Sequence, residues 1–194
     1  MAGLIQKKLV CQTFGCRLNQ YETEKMAAEL RPFGFERVSD SESADLYLIN
    51  TCTVTHRADR DCKAFIRKAA QKNPQARIVV AGCYVDYDPA NVQSIEGVDA
   101  ILLNSEKEAI SRLLASRIPD LFDREPDKNC STMVTDFFER NRAWLKISDG
   151  CNQWCSFCII PKVRGRLNHR PAEVIISEIN QLVEHNYKEV VLTG

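Results

Sequence analysis

An alternation of short apolar runs and helical patterns is the feature that most constrains how this chain can fold. Lys8 to Thr13 reads as a strand and Asn19 to Leu30 as a helix, followed by a strand at Asp45 to Asn50 and a helix at Arg57 to Lys72. Ala76 to Gly82 and Ala100 to Asn104 read as two further strands, with a helix near Lys107 to Ala115 after the second. Asn19, with Glu22 three residues on, has the form of a capping box, Gly34 ends that helical region, and Asn73-Pro74 stops the next helix. Ala58, Cys62, Phe65, Ile66 and Ala69 fall on one face of the helix at Arg57 to Lys72. Strands that alternate with helices pair in parallel and carry the helices on the faces of the sheet. The expected fold class is therefore α/β.

Pro119 to Thr135 breaks the alternation. It is rich in Asp, Pro, Ser and Asn, has no period, and reads as a linker. Beyond it come a strand at Ala143 to Ile147, a cysteine-bearing loop, a helix at Ala172 to His185 and a strand at Glu189 to Thr193. Two strands cannot bury their own faces. The expected division is a first domain at 1–118, a linker at 119–140, and the truncated beginning of a second domain at 141–194.

Composition narrows the setting. Lys+Arg and Asp+Glu both total 26 in the 194 residues, so net charge does not point to a polyanionic partner. Met1 to Val10 carries Lys7 and Lys8 without a long apolar stretch behind them, and no apolar run has membrane-spanning length. Nine cysteines, an odd number, with no export signal, fit metal or catalytic use in a reducing, cytoplasmic compartment better than disulfides.

The cysteines form two sets. Cys151, Cys155 and Cys158 lie in Gly-Cys-Asn-Gln-Trp-Cys-Ser-Phe-Cys-Ile-Ile-Pro, a C-x3-C-x2-C spacing with no fourth cysteine behind it. Iron–sulfur clusters are usually held by four thiolates. Three leave one iron of a cubane open to a small molecule, which distinguishes a catalytic cluster from an electron carrier. Zinc is the rival, with His169 as a fourth ligand, because structural zinc takes four protein ligands. In the second set, Cys16, Cys52 and Cys83 each fall just past the end of one of the first three strands, with Gly15 and Gly82 beside two of them. In an open parallel sheet those ends share one edge, where ligands bind. Cys11 inside a strand and Cys62 on an apolar helix face read as packing residues, and Cys130 has no assigned part.

These residues resemble the radical S-adenosylmethionine tRNA methylthiotransferases. C-x3-C-x2-C followed by Ile-Ile-Pro and Arg-Gly is similar to the radical motif. Thr13-Phe14-Gly15-Cys16-Arg17-Leu18-Asn19, Ile49-Asn50-Thr51-Cys52-Thr53-Val54-Thr55 and Ala81-Gly82-Cys83-Tyr84 resemble three N-terminal motifs. Thr-Val-Thr after Cys52 looks most like the branch acting on N6-threonylcarbamoyladenosine beside the anticodon. Other branches act on isopentenyladenosine or on an aspartate of a ribosomal protein. Tyr84-Val85-Asp86 and Asp61-Cys62 depart from the family's usual residues.

The resemblance implies a Rossmann- or flavodoxin-like parallel-sheet domain followed by the start of a radical S-adenosylmethionine partial (β/α) barrel. It implies two 4Fe–4S clusters, one on Cys151, Cys155 and Cys158 that binds S-adenosylmethionine, and an auxiliary one on Cys16, Cys52 and Cys83 that carries sulfur. Phe157 would lie near the adenine, and Gly194 would begin a segment that contacts S-adenosylmethionine. The implied partners are tRNA, through its anticodon stem-loop, an electron donor such as flavodoxin or ferredoxin, and a sulfur source. The family continues beyond this length, so the fragment is expected to be inactive alone. From another class, the rival is a non-catalytic metal-binding or electron-transfer module.

Basic residues follow the radical motif at Lys162, Arg164, Arg166 and Arg170, and lie along one helix at Arg57, Arg60, Lys63, Arg67, Lys68 and Lys72. Arg164 and Arg166 are the better placed for substrate or cofactor. Taken alone, the helix reads first as a solvated face. His56 and His185 read as surface or loop residues.

Overall fold

The computed structural model describes residues 6–53, 56–134, 137 and 141–194, without the side chains of 56–59. Five strands form one all-parallel sheet in the order β2-β1-β3-β4-β5: β1 at Lys7–Thr13, β2 at Phe35–Arg37, β3 at Leu46–Thr51, β4 at Arg77–Gly82 and β5 at Ala100–Leu102. Every residue of β3 is buried. Its near-continuous apolar run is what a strand covered on both faces requires.

The period of two along the strands divides the core. Leu9, Leu46, Leu48, Val79, Ala81 and Leu102 point to one face, under α1 (Arg17–Leu30) and α5 (Ile110–Arg117). Val10, Tyr47, Ile49, Ile78 and Val80 point to the other, where Cys62, Ile66 and Ala69 of α2 (His56–Lys72) meet them. The expected apolar stripe is thus buried at Cys62, Ile66 and Ala69, whereas the side chain of Ala58 lies outside the described residues.

Several boundaries differ from the sequence reading. β2 is too short to stand out as a run, and pairs with β1 through Lys7↔Phe35 to Leu9↔Arg37. α1 begins at Arg17 with Cys16 at its N-cap, so Asn19 is not a cap: it is wholly buried in the first turn. Two short helices, α3 (Cys83–Tyr87) and α4 (Pro89–Gln93), follow β4. Lys107 lies in a 3₁₀ segment at Asn104–Ala109, and α5 starts only at Ile110.

Residues 119–134 are irregular after a 3₁₀ turn at Pro119–Leu121, yet they are anchored. Leu121 and Phe122 pack on the first core, with the Phe122 ring 5.2 Å from Phe33 and 5.6 Å from Phe35. Arg31 donates to the Met133 carbonyl at 2.9 Å. Thr135 lies outside the described residues.

The last third forms a β-loop-α-β unit. β6 (Ala143–Lys146) pairs in parallel with β9 (Val190–Thr193), and α7 (Ala172–Glu184) joins them. β7 (Ser148–Asp149) and β8 (Asn168–His169) form a small antiparallel pair, with the short α6 (Ile160–Val163) between them in sequence. Two strands need an outside surface, and α1 supplies it. Tyr21 and Ala28 of α1 share a core with Val134, Phe137, Ala143, Trp144, Leu145 and Leu182. Ten of the 14 residues of α1 are buried for this reason: one face covers the sheet and the other covers β6.

Candidate functional site

Register fixes where the first cysteine set converges. Thr13 pairs with Asn50, and Thr51 pairs with Gly82, so β1, β3 and β4 end level with one another. Cys16, Cys52 and Cys83 follow these ends directly, on three adjacent strands. The strand order reverses between β1 and β3, the switch point where open α/β sheets hold ligands.

Two glycines make the approach feasible. Gly15 has φ +108°, and a Cβ there would meet Cys52 Cβ at 2.5 Å and its Sγ at 2.9 Å. Gly82 has φ +102°, with Asn50 Oδ1 where a Cβ would go. Both conformations are strained for a residue with a side chain, and glycine adopts them without that cost.

Asn19 ties this edge together. Its amide donates to the carbonyls of Phe14, at 3.0 Å, and Thr51, at 2.8 Å. Its Oδ1 stands 4.0 Å from Cys16 Sγ. On the other side, Asn104 Nδ2 lies 3.7 Å from Cys83 Sγ. Cys52 and Cys83 are buried, and Cys16 is exposed.

The second set sits on the loop from Gly150 to Ile159. Cys155 is exposed, Cys151 and Cys158 are half-buried, and Cys158 N donates to the Cys155 carbonyl at 3.0 Å. Trp154 in this loop has φ 47°. Phe157 is 90% exposed, so packing within the chain does not account for it. Gly194, directly after β9, sits against Ser148 of β7, close enough that a Cβ would overlap it. His169 is exposed on β8.

A buried ionic cluster joins the two regions. Glu22 of α1 accepts from Lys107 Nζ at 2.6 Å, from Arg164 Nη1 at 2.9 Å and Nη2 at 3.2 Å, and lies 3.4 Å from Lys146 Nζ. Asp149 accepts from Lys146 at 2.8 Å and from Arg164 at 3.0 Å. Arg164 also donates to Asn19 Oδ1. The side chains of Glu22, Lys107 and Arg164 are 6%, 4% and 3% exposed.

Burial opposes ionisation of Glu22, but Lys107, Arg164 and Lys146 outweigh it and hold the carboxyl well below the usual carboxylate range. Three cations meet two carboxylates here. These cations lie near the first cysteine set, where Asp86 is also within electrostatic reach of Lys107 and Arg164, and Arg164 interacts electrostatically with Cys83.

The sequence reading gave Arg164 to substrate or cofactor, but the structure commits it to Glu22 and Asp149. Arg170 is likewise bound to Glu178, Tyr21 and the Lys146 carbonyl. Lys162 and Arg166 remain exposed. Arg60, Arg67, Lys68 and Lys72 are exposed on α2, and Lys63 is half-buried. The side chains of His56 and Arg57, and all of Val54 and Thr55, lie outside the described residues. His185 is exposed, as expected. Cys11 is half-buried within β1, and burial pushes its thiol up to about 12, in keeping with a packing role.

Among the described residues, no three His, Cys, Asp or Glu side chains are gathered tightly enough to hold a metal ion. The donor sets themselves suit an iron–sulfur group. All six proposed ligands are thiols, a cluster holds its thiolates farther apart than one ion would, and the first set has glycine approaches and nearby cations.

Glu22, Lys107, Asn19 and Asn104 were not singled out as site residues. Glu22 shares a stripe with Leu18 and Met26, four residues away on either side. A carboxylate on an apolar stripe signals a buried partner.

Residues 8–103 match the family described as "Uncharacterized protein family UPF0004". The threonylcarbamoyladenosine tRNA methylthiotransferase MtaB of Bacillus subtilis is 40% identical over 94% of this chain and 42% of its own length. Its Aquifex aeolicus counterpart is 34% identical over 96% of this chain and 47% of its own length. The chain is similar to these methylthiotransferases. It aligns with their N-terminal portion and spans less than half the length of these relatives. The tRNA-2-methylthio-N(6)-dimethylallyladenosine synthase of Thermodesulfovibrio yellowstonii is 32% identical over 94% of this chain and 44% of its own length. Among solved structures, the radical S-adenosylmethionine methyltransferase TsrM of Kitasatospora setae superposes with a TM-score of 0.65 over 97% of this chain and 47% of its own, at 13% identity. That likeness bears on the fold: an α/β parallel sheet followed by the start of a partial barrel. No described helix is long and apolar enough to cross a membrane.

Proposed function

We propose that this chain takes part in methylthiolation of a tRNA adenosine at C2, on N6-threonylcarbamoyladenosine beside the anticodon. The observation that carries the reading is the level ending of β1, β3 and β4, which brings Cys16, Cys52 and Cys83 to one edge beside a docked C-x3-C-x2-C loop. Relatives named for this modification support the substrate.

In this reading Cys16, Cys52 and Cys83 hold an auxiliary 4Fe–4S cluster, and Cys151, Cys155 and Cys158 hold the one that meets S-adenosylmethionine. When bound and reduced, the latter supplies the electron that cleaves the sulfonium. The chain's own residues position and shield. Gly15 and Gly82 let the backbone close around the first site. Phe157 offers a ring face to the adenine, Gly194 leaves room beside Ser148, and Lys162 and Arg166 face solvent where phosphate would arrive. The domain division at 119–140, a cytoplasmic setting, an external reductant and a sulfur donor belong to the same proposal.

Iron and sulfide analysis of the anaerobically purified protein tests it first. About eight of each per chain is expected for two clusters. Stoichiometric zinc without sulfide would replace the radical reading with a binding module. Incubation of the full-length protein with hypomodified tRNA, followed by nucleoside mass spectrometry, then fixes the branch. A methylthio product on isopentenyladenosine alone would move the assignment to the branch of the Thermodesulfovibrio relative.

A further inference from the structure

Asn104 touches both halves of the molecule. It follows β5 at the sheet edge, and its backbone N–H donates to Asp86 Oδ2 at 2.9 Å, just beyond α3 residue Cys83. Its side-chain Nδ2 donates to the Val163 carbonyl at 2.8 Å and stands 3.7 Å from Cys83 Sγ. Val163 ends α6, five residues after Cys158. One amide therefore spans from a thiol of the first set to the segment directly behind the second.

The orientation of that amide is decided by its partners. A carbonyl accepts and cannot donate, so the group facing the Val163 oxygen at 2.8 Å must be the NH2. An NH2 group has two hydrogens. One serves Val163, and the other is left for Cys83 sulfur. Asn104 Oδ1 is buried with no hydrogen-bond partner among the described residues. Leaving a buried acceptor unpaired is unfavourable, so the two donor contacts must hold the amide in place.

We propose that Asn104 is a positioning residue for the auxiliary site, fixing and polarising the Cys83 sulfur while tying it to Val163 so that the two thiol sets keep a set relation. The proposal rests on the two-cluster reading above. Hydrogen bonds to sulfur are among the levers that set a cluster's potential, and partners behind the ligands orient them. Reduction adds negative charge to the cluster and its thiolates. An N–H aimed at one sulfur stabilises the reduced state more than the oxidised one. Removing it makes the cluster harder to reduce.

The test uses full-length protein carrying Cys151→Ala, Cys155→Ala and Cys158→Ala, reconstituted anaerobically with iron and sulfide. This parent should bind about four irons on the first set. Adding Asn104→Ala, and separately Asn104→Asp, should move the midpoint potential of that cluster to more negative values, with Asp moving it further because it adds a charge. In protein that keeps all six cysteines, the second cluster's potential should hold, while the magnetic coupling between the two reduced clusters weakens as the Val163 tie is lost. Thermal melting of the metal-free variants shows whether they fold. Selective loss of iron from a folded Asn104→Ala protein would also support positioning. An unchanged midpoint with four irons bound, or an equal shift of both clusters, overturns the role of Asn104. A parent that binds no iron overturns the cluster reading itself, and the proposal falls with it.

Discussion

Glu22 of the first α-helix and Arg164 behind the C-x3-C-x2-C loop form a two-pronged ion pair across 142 positions of sequence, with Nη1 2.9 Å and Nη2 3.2 Å from the carboxylate oxygens. Both side chains are almost wholly buried. A buried ion pair is weak grounds for stability when compared with an apolar replacement, yet breaking one from a single side is costly. Glu22→Gln removes the carboxylate that Lys107, Lys146 and Arg164 share. It should lower stability by about 3–5 kcal/mol. Urea unfolding of the metal-free protein measures it. Lys107→Met alone should also destabilise, and the double variant should lose less than the sum of the two. Strict additivity would mean that Glu22 and Lys107 are not coupled.

The same carboxyl predicts a response to acid. Its folded pKa lies below the unfolded value, for which the reference is 4.5. A depressed carboxylate adds stability above its unfolded pKa and loses it as pH falls towards the folded one. Stability should therefore be steady above about pH 5 and erode below about 4.5 as the unfolded chain takes up the proton first. In Glu22→Gln the acid limb should be shallower, because one of the groups driving it is gone. Melting temperatures at pH 3.5 to 7 would show this, and an equally steep limb in both proteins would contradict it.

Much of this arrangement was legible in the sequence. Continuous apolar runs gave away β1, β3 and β4, and with them the shared edge for Cys16, Cys52 and Cys83. β2 was not legible, because three residues with Glu36 and Arg37 among them carry no run. Asn19 and Glu22 misled because a capping box and a buried ion cluster use the same residue types. Only tertiary contact with Arg164 and Lys107 separates them. The aperiodic stretch after Pro119 gave no sign that Phe122 would pack against Phe33 and Phe35, since a single anchoring ring has no period.

Cysteine reactivity follows burial. Cys11 is held protonated, its thiol pushed up to about 12 by desolvation, and Cys62 is 1% exposed in the core under α2. Cys16 and Cys155 are exposed. Because the thiolate is the nucleophile, brief iodoacetamide treatment of metal-free protein at pH 8 should label Cys16 and Cys155 first and leave Cys11 and Cys62 unlabelled until urea is added. Peptide mass spectrometry reads the order. Early labelling of Cys11 would mean that β1 opens locally, contrary to its central pairing with β2 and β3.

Solvent exposure distinguishes Lys162 and Arg166 from the committed cations. Lys162 and Arg166 are exposed to solvent beside the C-x3-C-x2-C loop, whereas Arg164 and Arg170 already hold carboxylates. Each phosphate contact adds roughly 0.7–0.9 to the slope of log affinity against log salt. Lys162→Ala with Arg166→Ala should therefore weaken binding of the full-length protein to an anticodon stem-loop and flatten that slope by about 1.5. Arg60→Ala with Arg67→Ala serves as the comparison. Those residues lie on the helix across the sheet from α1 and the β-loop-α-β unit, and the slope should not change. Filter binding between 50 and 300 mM salt decides it, at roughly the range where phosphate contacts dominate affinity. If the α2 pair flattens the slope instead, the RNA lies across the opposite face of the sheet, and the cations behind Cys158 are only solubilising charge.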